Sequence, residues 1–387
     1  MHEIDERDKI GAIYLDCNGS TPTDERVVET MRPYLTANPA NPASQLHLYG
    51  QQAHRKVEEA RDQVAALVDA RPQEVIFTSG ATESNNLALL GIAQEALEAG
   101  RTHIVSSAIE HPAVLEPLAH LSDHGFEVEL VAPGPDGVVR AEELLARVRP
   151  DTAMVSLMHV NNVVGTVQPI GEVADGLADH RALMHVDAAQ GAAHRFEELG
   201  HPRLDLISIS AHKMYGPKGI GALIYRRRPQ AALKIAARSF GGGHEGGLRP
   251  GTVATPLVAG FGRASKLCRE ESDHRKERNR AFRRKLIEGL APLHPTYHGE
   301  PEEQVSHVVC LSFSGVRARA VLLRLRDLVA ASNGAACRAT DNHPSHVLVA
   351  MGLSDGPLEE AIRLSWYHDT PAVDWSEVVE RLISMSR

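Results

Sequence analysis

Two kinds of hydrophobic periodicity alternate along residues 74–226. Short runs rich in β-branched residues predict strands, and apolar residues repeated every three to four positions predict helices. The predicted helices cover 82–100 and 141–148, and another begins at Pro112. The predicted strands cover 74–79, 103–109, 127–133, 152–160, 182–189, 204–212 and 219–226. This alternation is typical of βαβ units, so we predict an α/β fold with a mostly parallel seven-stranded sheet covered on both faces.

The pattern changes after about residue 255. A long charged amphipathic helix is predicted over 256–291, and shorter segments follow it at 305–313, 319–327, 361–368 and 372–386. This mixture predicts a smaller α+β domain at the C-terminal end. We therefore expect an N-terminal arm (1–15), a large α/β domain (16–255) and a small α+β domain (256–387), with the junction in "RPGTVATP".

Composition and charge limit the cellular location and the binding partners that we expect for the protein. The 387 residues are 43% hydrophobic, which is enough for a sizeable core, and the net charge is −9 with interspersed charges. A nucleic-acid-binding surface would normally show a basic patch, and the sequence contains none. The charged N-terminus resembles no signal peptide, and no apolar run approaches the ~18 residues of a membrane span. We expect a cytoplasmic protein without a membrane anchor.

The cysteines and histidines indicate neither a disulfide framework nor a metal site. Cys17, Cys268, Cys310 and Cys337 contain no C-x-x-C pair, and four cysteines are few for a chain of this length. The 21 histidines include no H-E-x-x-H and no paired Cys/His spacing. A reducing compartment and no bound metal are expected.

Candidate chemistry lies at the ends of the predicted strands. Asp187 and Lys213 each lie near the carboxyl end of a strand, where open α/β sheets bind their ligands. A lysine held there among polar groups suits Schiff-base chemistry, which needs an unprotonated amine. Taken singly, the simpler interpretation of Lys213 is a solvated strand-end lysine and that of Asp187 is a helix cap.

Three other strand ends carry polar groups. Gly80 lies between a strand and a helix, and the N–H groups of Ala81 and Thr82 would begin that helix, a geometry that binds phosphate. Capping by Ser79 or Thr82 would explain the same residues. His111 and Asn162 also follow strands, where such residues usually cap helices or form turns. A cofactor with a phosphate, a pyridine nitrogen and an aldehyde, pyridoxal 5′-phosphate, would use all of these groups together.

Many segments in order resemble one family. They are "YLDCNGSTP", "NPAS", "FTSGATESNN", "EHPAV", "MHVNNVVGTVQPI", "HVDAAQ", "SAHKMYGPKGIGALI", "GGGHEGGLRPGT", "GAAC" and "IRLSWYHDT". The chain resembles the NifS/IscS-like cysteine desulfurases, pyridoxal-phosphate enzymes of fold-type I in the class V aminotransferase group. The resemblance implies the fold-type I architecture, a homodimer with shared active sites, and L-cysteine as the substrate.

The resemblance also implies roles for the residues that hold the cofactor. Lys213 would bind the cofactor as a Schiff base, and Asp187 would pair with the ring nitrogen. Gln190 would contact the ring hydroxyl, and His111 would stack on the ring and move protons. The phosphate would be bound by Ala81, Thr82, Ser210, His212 and Thr252 of the partner subunit.

A further set of roles concerns the substrate. Asn162 and Arg363 would hold the carboxylate, which suits the planar fork of an arginine, and Asn162 would also contact the cofactor. Cys337, in "ASNGAACRATDNHPS", would be the nucleophile that takes the sulfur as a persulfide and leaves L-alanine. Small and polar neighbours suit an arm that moves between the cofactor and a sulfur-acceptor protein.

Other functions fit parts of the same pattern. A selenocysteine lyase on the same scaffold, an ordinary aminotransferase, and a non-enzymatic scaffold that only binds partners are the alternatives. The intact Lys213 and Asp187 argue against the scaffold.

Overall fold

The computed structural model describes residues 11–228, 231, 233–333 and 344–384. Its strands are β1 (Ile13–Tyr14), β2 (Val75–Thr78), β3 (His103–Ser107), β4 (Glu127–Val131), β5 (Thr152–Ser156), β6 (Leu183–Asp187), β7 (Leu206–Ser210), β8 (Gly221–Tyr225), β9 (Thr296–His298), β10 (Val308–Ser312), β11 (Val329–Ala330) and β12 (Ile362–Ser365). Most of the sheet strands are shorter than the apolar runs that predicted them.

The α-helices lie between these strands and along the C-terminal part. They are α1 (Glu25–Leu35), α2 (Leu48–Leu67), α3 (Ala81–Gly91), α4 (Ala93–Glu98), α5 (Pro112–Ser122), α6 (Ala141–Leu145), α7 (Ile170–Gly176), α8 (Thr255–Glu270), α9 (Ser272–Leu290), α10 (Ala318–Leu325), α11 (His346–Ala350), α12 (Asp355–Glu360) and α13 (Trp375–Ile383). Among the described residues, no helix is both long and apolar enough to cross a membrane.

Seven strands form the central sheet in the order β2-β8-β7-β6-β5-β3-β4. All neighbouring pairs are parallel except those of β8, which runs antiparallel to both β2 and β7. Every residue of β5, β6 and β7 is buried, as expected for strands covered on both faces. In the edge strand β4, by contrast, the first four residues are exposed or half-buried and only Val131 is buried. The predicted α/β fold with a mostly parallel seven-stranded sheet is confirmed.

The helix predicted over 256–291 is wrong in one respect, because it is two helices that meet at Glu271. That residue has φ −114° and ψ 9°, outside the helical range. Its carboxylate accepts from Arg26 of α1 at 2.5 Å and from Arg275 of α9 at 2.8 Å. Both guanidinium groups therefore meet the Glu271 carboxylate at the break between the two helices. The helix predicted over 82–100 is likewise divided at Ile92.

A second layer is built on the antiparallel sheet β12-β10-β9. Its core contains Leu286, Val309, Leu364 and Trp366, and Leu15 packs in the same cluster. β1 pairs in parallel with β11, which ties the start of the described chain to this layer. The boundaries of the N-terminal arm and of the two domains stay predictions.

The parallel strands direct their carboxyl ends to one edge of the sheet. His111 follows β3, Asn162 follows β5, Asp187 ends β6, and Lys213 follows β7. Residues 16–21 cross this same edge, where Thr21 donates its N–H to the His212 carbonyl at 3.0 Å. The fold therefore places side chains that are far apart in sequence around one space.

Candidate active site

A cavity of about 580 Å³ opens at the carboxyl edge of the sheet, a volume typical of small-molecule sites. Most of the predicted site residues line it: Ala81, Thr82, His111, Asn162, Asp187, Gln190, Ser210, His212, Lys213 and Arg363. Cys337 lies outside the described residues. Thr252 is described and exposed, and it is not among the residues that line the cavity of its own chain.

Lys213 ends a short 3₁₀ turn that follows β7. Its Nζ donates to the carbonyl oxygen of Gly19 at 2.8 Å and to that of Asn18. The Asn18 carbonyl also accepts from Gln190 Nε2 at 2.9 Å. A backbone segment near the N-terminus therefore holds the amine and the amide at the cavity wall. Sequence reasoning missed Asn18, since its contribution is a carbonyl oxygen that no side-chain pattern reveals.

Asp187 presents a buried carboxylate at the end of β6, with 5% of the residue exposed. One oxygen accepts from Asn85 Nδ2 at 2.8 Å, and the other accepts from the N–H of Ala189 at 3.0 Å. Both donors are neutral, and no salt bridge to this carboxylate occurs in the described part of the chain. A buried anion supported only by neutral donors is suited to a cationic ligand atom.

The turn between β2 and α3 has the features of an anion cradle. Gly80 is the N-cap of α3, with φ 153° and without a side-chain capping bond, so the predicted alternative of a cap by Ser79 or Thr82 is wrong. The first-turn N–H groups are consequently left without a capping side chain. A Cβ on Gly221 of β8 would lie 2.7 Å from Gly80 Cα, so the two backbones need glycine to pack this closely.

His212 and His111 contribute rings from two different turns. Burial, followed by the charges of Lys213 and Lys218, lowers the pKa of His212 to about 4, so this ring is neutral at physiological pH. His111 caps α5, and its Nδ1 accepts from the N–H of Ala113 at 3.1 Å. A neutral His111 ring therefore carries its proton on Nε2.

Arg363 reaches the cavity from β12 of the second sheet. The side chain is 2% exposed, and its Nη1 donates to the Asn162 carbonyl at 2.8 Å. Its Nη2 pairs with Asp16 Oδ1 at 2.6 Å. The guanidinium thus connects the antiparallel sheet β12-β10-β9 with the turn after β5 and with the N-terminal segment.

Several buried polar atoms around the cavity have no hydrogen-bond partner among the described residues. They are Asn18 Oδ1, Asn85 Oδ1, Asn162 Oδ1 and Arg363 Nε. Because buried polar atoms are nearly always paired, such a group is expected to meet a polar ligand. The amine, the carboxylate, the anion cradle and the guanidinium together fit a ligand with a phosphate, a cationic ring nitrogen and a carboxylate-bearing partner molecule.

Glu110 is a buried acid that sequence reasoning did not select, although it lies in the quoted segment "EHPAV". Its Oε1 accepts from Ser107 Oγ at 2.6 Å and from the N–H of Met158 at 2.7 Å. Its carbonyl accepts from His346 Nε2 at 2.8 Å. Burial, opposed by the two hydrogen bonds and assisted by the charge of Asp187, raises the pKa of Glu110 to about 8.

We expect Glu110→Gln to remove a pH dependence of folding. The pKa is about 8 in the folded chain and about 4.5 when the chain is unfolded, so the native state holds a proton that the unfolded state releases between these values. Wild-type stability therefore falls as pH rises through this window, and the variant lacks that loss. Relative to wild type, the variant should gain on the order of 4 kcal/mol between pH 5 and pH 9.

The measurement is urea unfolding of both proteins at several pH values. Glu172→Gln removes the same charge at an exposed position and should follow the wild-type curve. A constant difference between Glu110→Gln and wild type across the range would contradict the expectation.

Comparisons with known proteins agree with this geometry. The family model "Aminotransferase class-V" matches residues 13–378. A cysteine desulfurase IscS of Methylococcus capsulatus is 43% identical over 363 residues, covering 94% of this chain and 89% of that protein.

Solved structures give the same result. A NifS-like protein superposes with a TM-score of 0.87 at 34% identity, covering 97% of this chain and 98% of that one. SspA, solved in complex with cysteine, superposes with a TM-score of 0.80 at 33% identity, covering 92% and 98%. The predicted resemblance and the predicted enzyme class are confirmed. The chain belongs to the class-V aminotransferase family and, within it, to the cysteine desulfurases.

Proposed function

We propose that the cavity binds pyridoxal 5′-phosphate together with L-cysteine, converts the amino acid to L-alanine, and leaves its sulfur on Cys337 as a persulfide. The observation that carries this proposal is the meeting of Lys213, Asp187 and Arg363 around one cavity of about 580 Å³. An amine, an anion and a guanidinium are the groups that this cofactor and an amino acid require. Membership of the cysteine desulfurases supports the choice of substrate.

The cofactor contacts follow from the chemistry of the lining residues. Lys213 would supply the amine that binds the aldehyde, and the Asp187 carboxylate would accept from the protonated ring nitrogen. When bound, the cofactor withdraws electrons from Cα of the amino acid. The neutral His111 ring would stack on the cofactor, and Gln190 would contact its hydroxyl group. The phosphate would lie at Ala81, Thr82, Ser210 and His212.

The substrate groups divide between two sides of the cavity. Arg363 and Asn162 would hold the carboxylate, which fixes Cα near Lys213 so that the lysine amine moves the Cα proton. The Cys337 thiolate would form a bond to the substrate sulfur while the substrate Cβ–S bond breaks. That electron pair stays with the carbon skeleton, which takes up a proton at Cβ and ends as alanine.

Thr252 and the buried cysteines bear on the partner subunit and on the cellular compartment. Thr252 is exposed and away from its own cavity, which supports a homodimer in which Thr252 of the partner subunit reaches the phosphate. Cys17, Cys268 and Cys310 are buried and unbridged, which supports a reducing, cytoplasmic setting. The persulfide would pass to a sulfur-acceptor protein.

We expect Cys337→Ser to stop desulfuration while the cofactor site stays intact. Alanine formation from L-cysteine should fall below about one hundredth of the wild-type rate, since a serine hydroxyl is a far poorer nucleophile than a thiolate. The measurement is alanine by chromatography, together with mass spectrometry of the loaded enzyme to locate the extra sulfur. Cofactor content is read from the visible absorbance.

Cys268→Ala, which changes a buried cysteine of α8, is the matched control and should keep wild-type turnover. Alanine released at the wild-type rate by Cys337→Ser would refute the persulfide step. Turnover that depends on an added keto acid would identify an aminotransferase instead.

A further inference from the structure

The Arg363 guanidinium faces an electrostatic problem of its own. It is 2% exposed, and in the described structure its charge is met by one carboxylate, that of Asp16 at 2.6 Å. The Asp16 side chain is 26% exposed, so water reaches the acid more readily than it reaches the arginine. A buried guanidinium without an anion costs several kcal/mol, so the Asp16 carboxylate stabilises the buried charge of Arg363.

The backbone sets the position of Asp16. Asp16 forms a parallel bridge with Ser365 of β12, two residues beyond Arg363. The N–H of Ser365 donates to the Leu15 carbonyl at 2.8 Å, and the N–H of Cys17 donates to the Ser365 carbonyl at 3.1 Å. Because hydrogen bonds flank Asp16 on both sides, its carboxylate is held beside the guanidinium.

Gly19 leaves room for that carboxylate. A Cβ on Gly19 would lie 2.7 Å from Asp16 Oδ2 and 3.1 Å from Asp16 Cγ, closer than side chains tolerate. The N–H of Gly19 donates to the Asp16 carbonyl at 2.9 Å, which closes the turn. The chain therefore keeps a space into which the acid fits, independently of the ion pair itself.

The two hydrogen-bonded nitrogens of Arg363 leave other guanidinium donors available for a ligand. Nη1 donates to the Asn162 carbonyl at 2.8 Å, and Nη2 donates to Asp16. Each of these nitrogens carries a second N–H, and Nε has no partner among the described residues. A planar guanidinium fixed by two acceptors has its remaining donors pre-oriented, which lowers the entropy lost on binding.

We propose that Asp16 is a positioning residue for amino-acid recognition, holding the Arg363 fork so that its remaining donors receive the substrate carboxylate, and that Gly19 preserves the space for it. This inference rests on the proposed function, in which Arg363 binds the carboxylate of L-cysteine. Asp16 acts through Arg363 and touches neither substrate nor cofactor. Its effect should therefore be confined to ligands that carry a carboxylate.

The test compares two ligands that differ in that group alone. L-alanine has a carboxylate, and L-alaninamide has a neutral amide in its place. Binding of each to the holoenzyme is measured by calorimetry for wild type, Asp16→Ala, Asp16→Asn and Gly19→Ala. For Asp16→Ala, the Kd of L-alanine should rise at least ~10-fold, as expected for a lost charged hydrogen bond, while that of L-alaninamide stays within about 2-fold.

The other variants sharpen the result. Asp16→Asn keeps an oxygen acceptor for Nη2 and nearly the same volume, so it should weaken L-alanine binding less than Asp16→Ala and should fold even if the alanine variant does not. Gly19→Ala should weaken L-alanine selectively, because it displaces the carboxylate. For L-cysteine, KM should rise more than kcat falls. Glu29→Ala, which breaks an exposed ion pair with Arg32, should change nothing.

Arg363→Ala separates this inference from the proposed function. If that variant still distinguishes L-alanine from L-alaninamide as wild type does, the carboxylate role of Arg363 is wrong and the proposed function fails at that point. If Arg363→Ala loses the distinction but Asp16→Asn and Gly19→Ala keep it, the inference about Asp16 alone is overturned. Tighter binding of L-alanine by Asp16→Asn would also overturn it, since Asp16 would then repel the substrate.

Discussion

Lys213→Ala is expected to abolish turnover of L-cysteine, with a rate at least ~10³-fold below that of wild type. The Lys213 amine has two proposed tasks, binding the aldehyde of the cofactor and moving the Cα proton. The methyl side chain of the Lys213→Ala variant can perform neither. Its Nζ is held at the cavity wall by the carbonyls of Asn18 and Gly19, and the described residues that line the cavity include no other lysine.

Borohydride reduction followed by mass spectrometry tests whether Lys213 binds the cofactor aldehyde, and it needs no turnover. The wild-type enzyme should carry the reduced cofactor on the peptide that contains Lys213, and the variant should carry none. Lys266→Ala changes a half-exposed lysine of α8 and should behave as wild type in both assays. A label on another peptide of the wild-type enzyme would show that Lys213 is not the cofactor lysine.

Asp187→Asn is expected to lower kcat by about 10²- to 10³-fold with little change in the fold. An opposite charge at short distance raises the pKa of a cationic group by about 1 to 3 units, and the neutral amide removes that effect from the ring nitrogen. The protonated fraction of the cofactor then falls, and so does its capacity to accept electrons. The amide has nearly the same size and can still pair with Asn85.

The kinetic constants are measured beside the amount of bound cofactor, so that loss of binding is not mistaken for loss of catalysis. Asp175→Asn removes a charge from the exposed surface and serves as the control. A kcat of Asp187→Asn within about 3-fold of wild type, at full cofactor occupancy, would show that the carboxylate does not sustain the ring charge.

Much of the candidate site could be predicted because its side chains follow strands. The apolar runs that end near His111, Asn162, Asp187 and Lys213 are local features of the sequence. Parallel strands bring their carboxyl ends to one edge whatever the order of the strands in the sheet. Arg363 came from the resemblance alone, since it lies on β12 of another sheet. Glu110 was missed because its burial depends on the packing of two turns.

The sequence by itself determined the α/β class, the polar residues at the strand ends and the family, since periodicity and motifs are local properties. Only the tertiary structure decided the strand order, the break at Glu271 and the neighbours of each functional side chain. Asp16 and Arg363 are 347 residues apart, and their ion pair depends on the bridge between Asp16 and Ser365. Such contacts follow from how whole layers pack, which no short stretch of residues specifies.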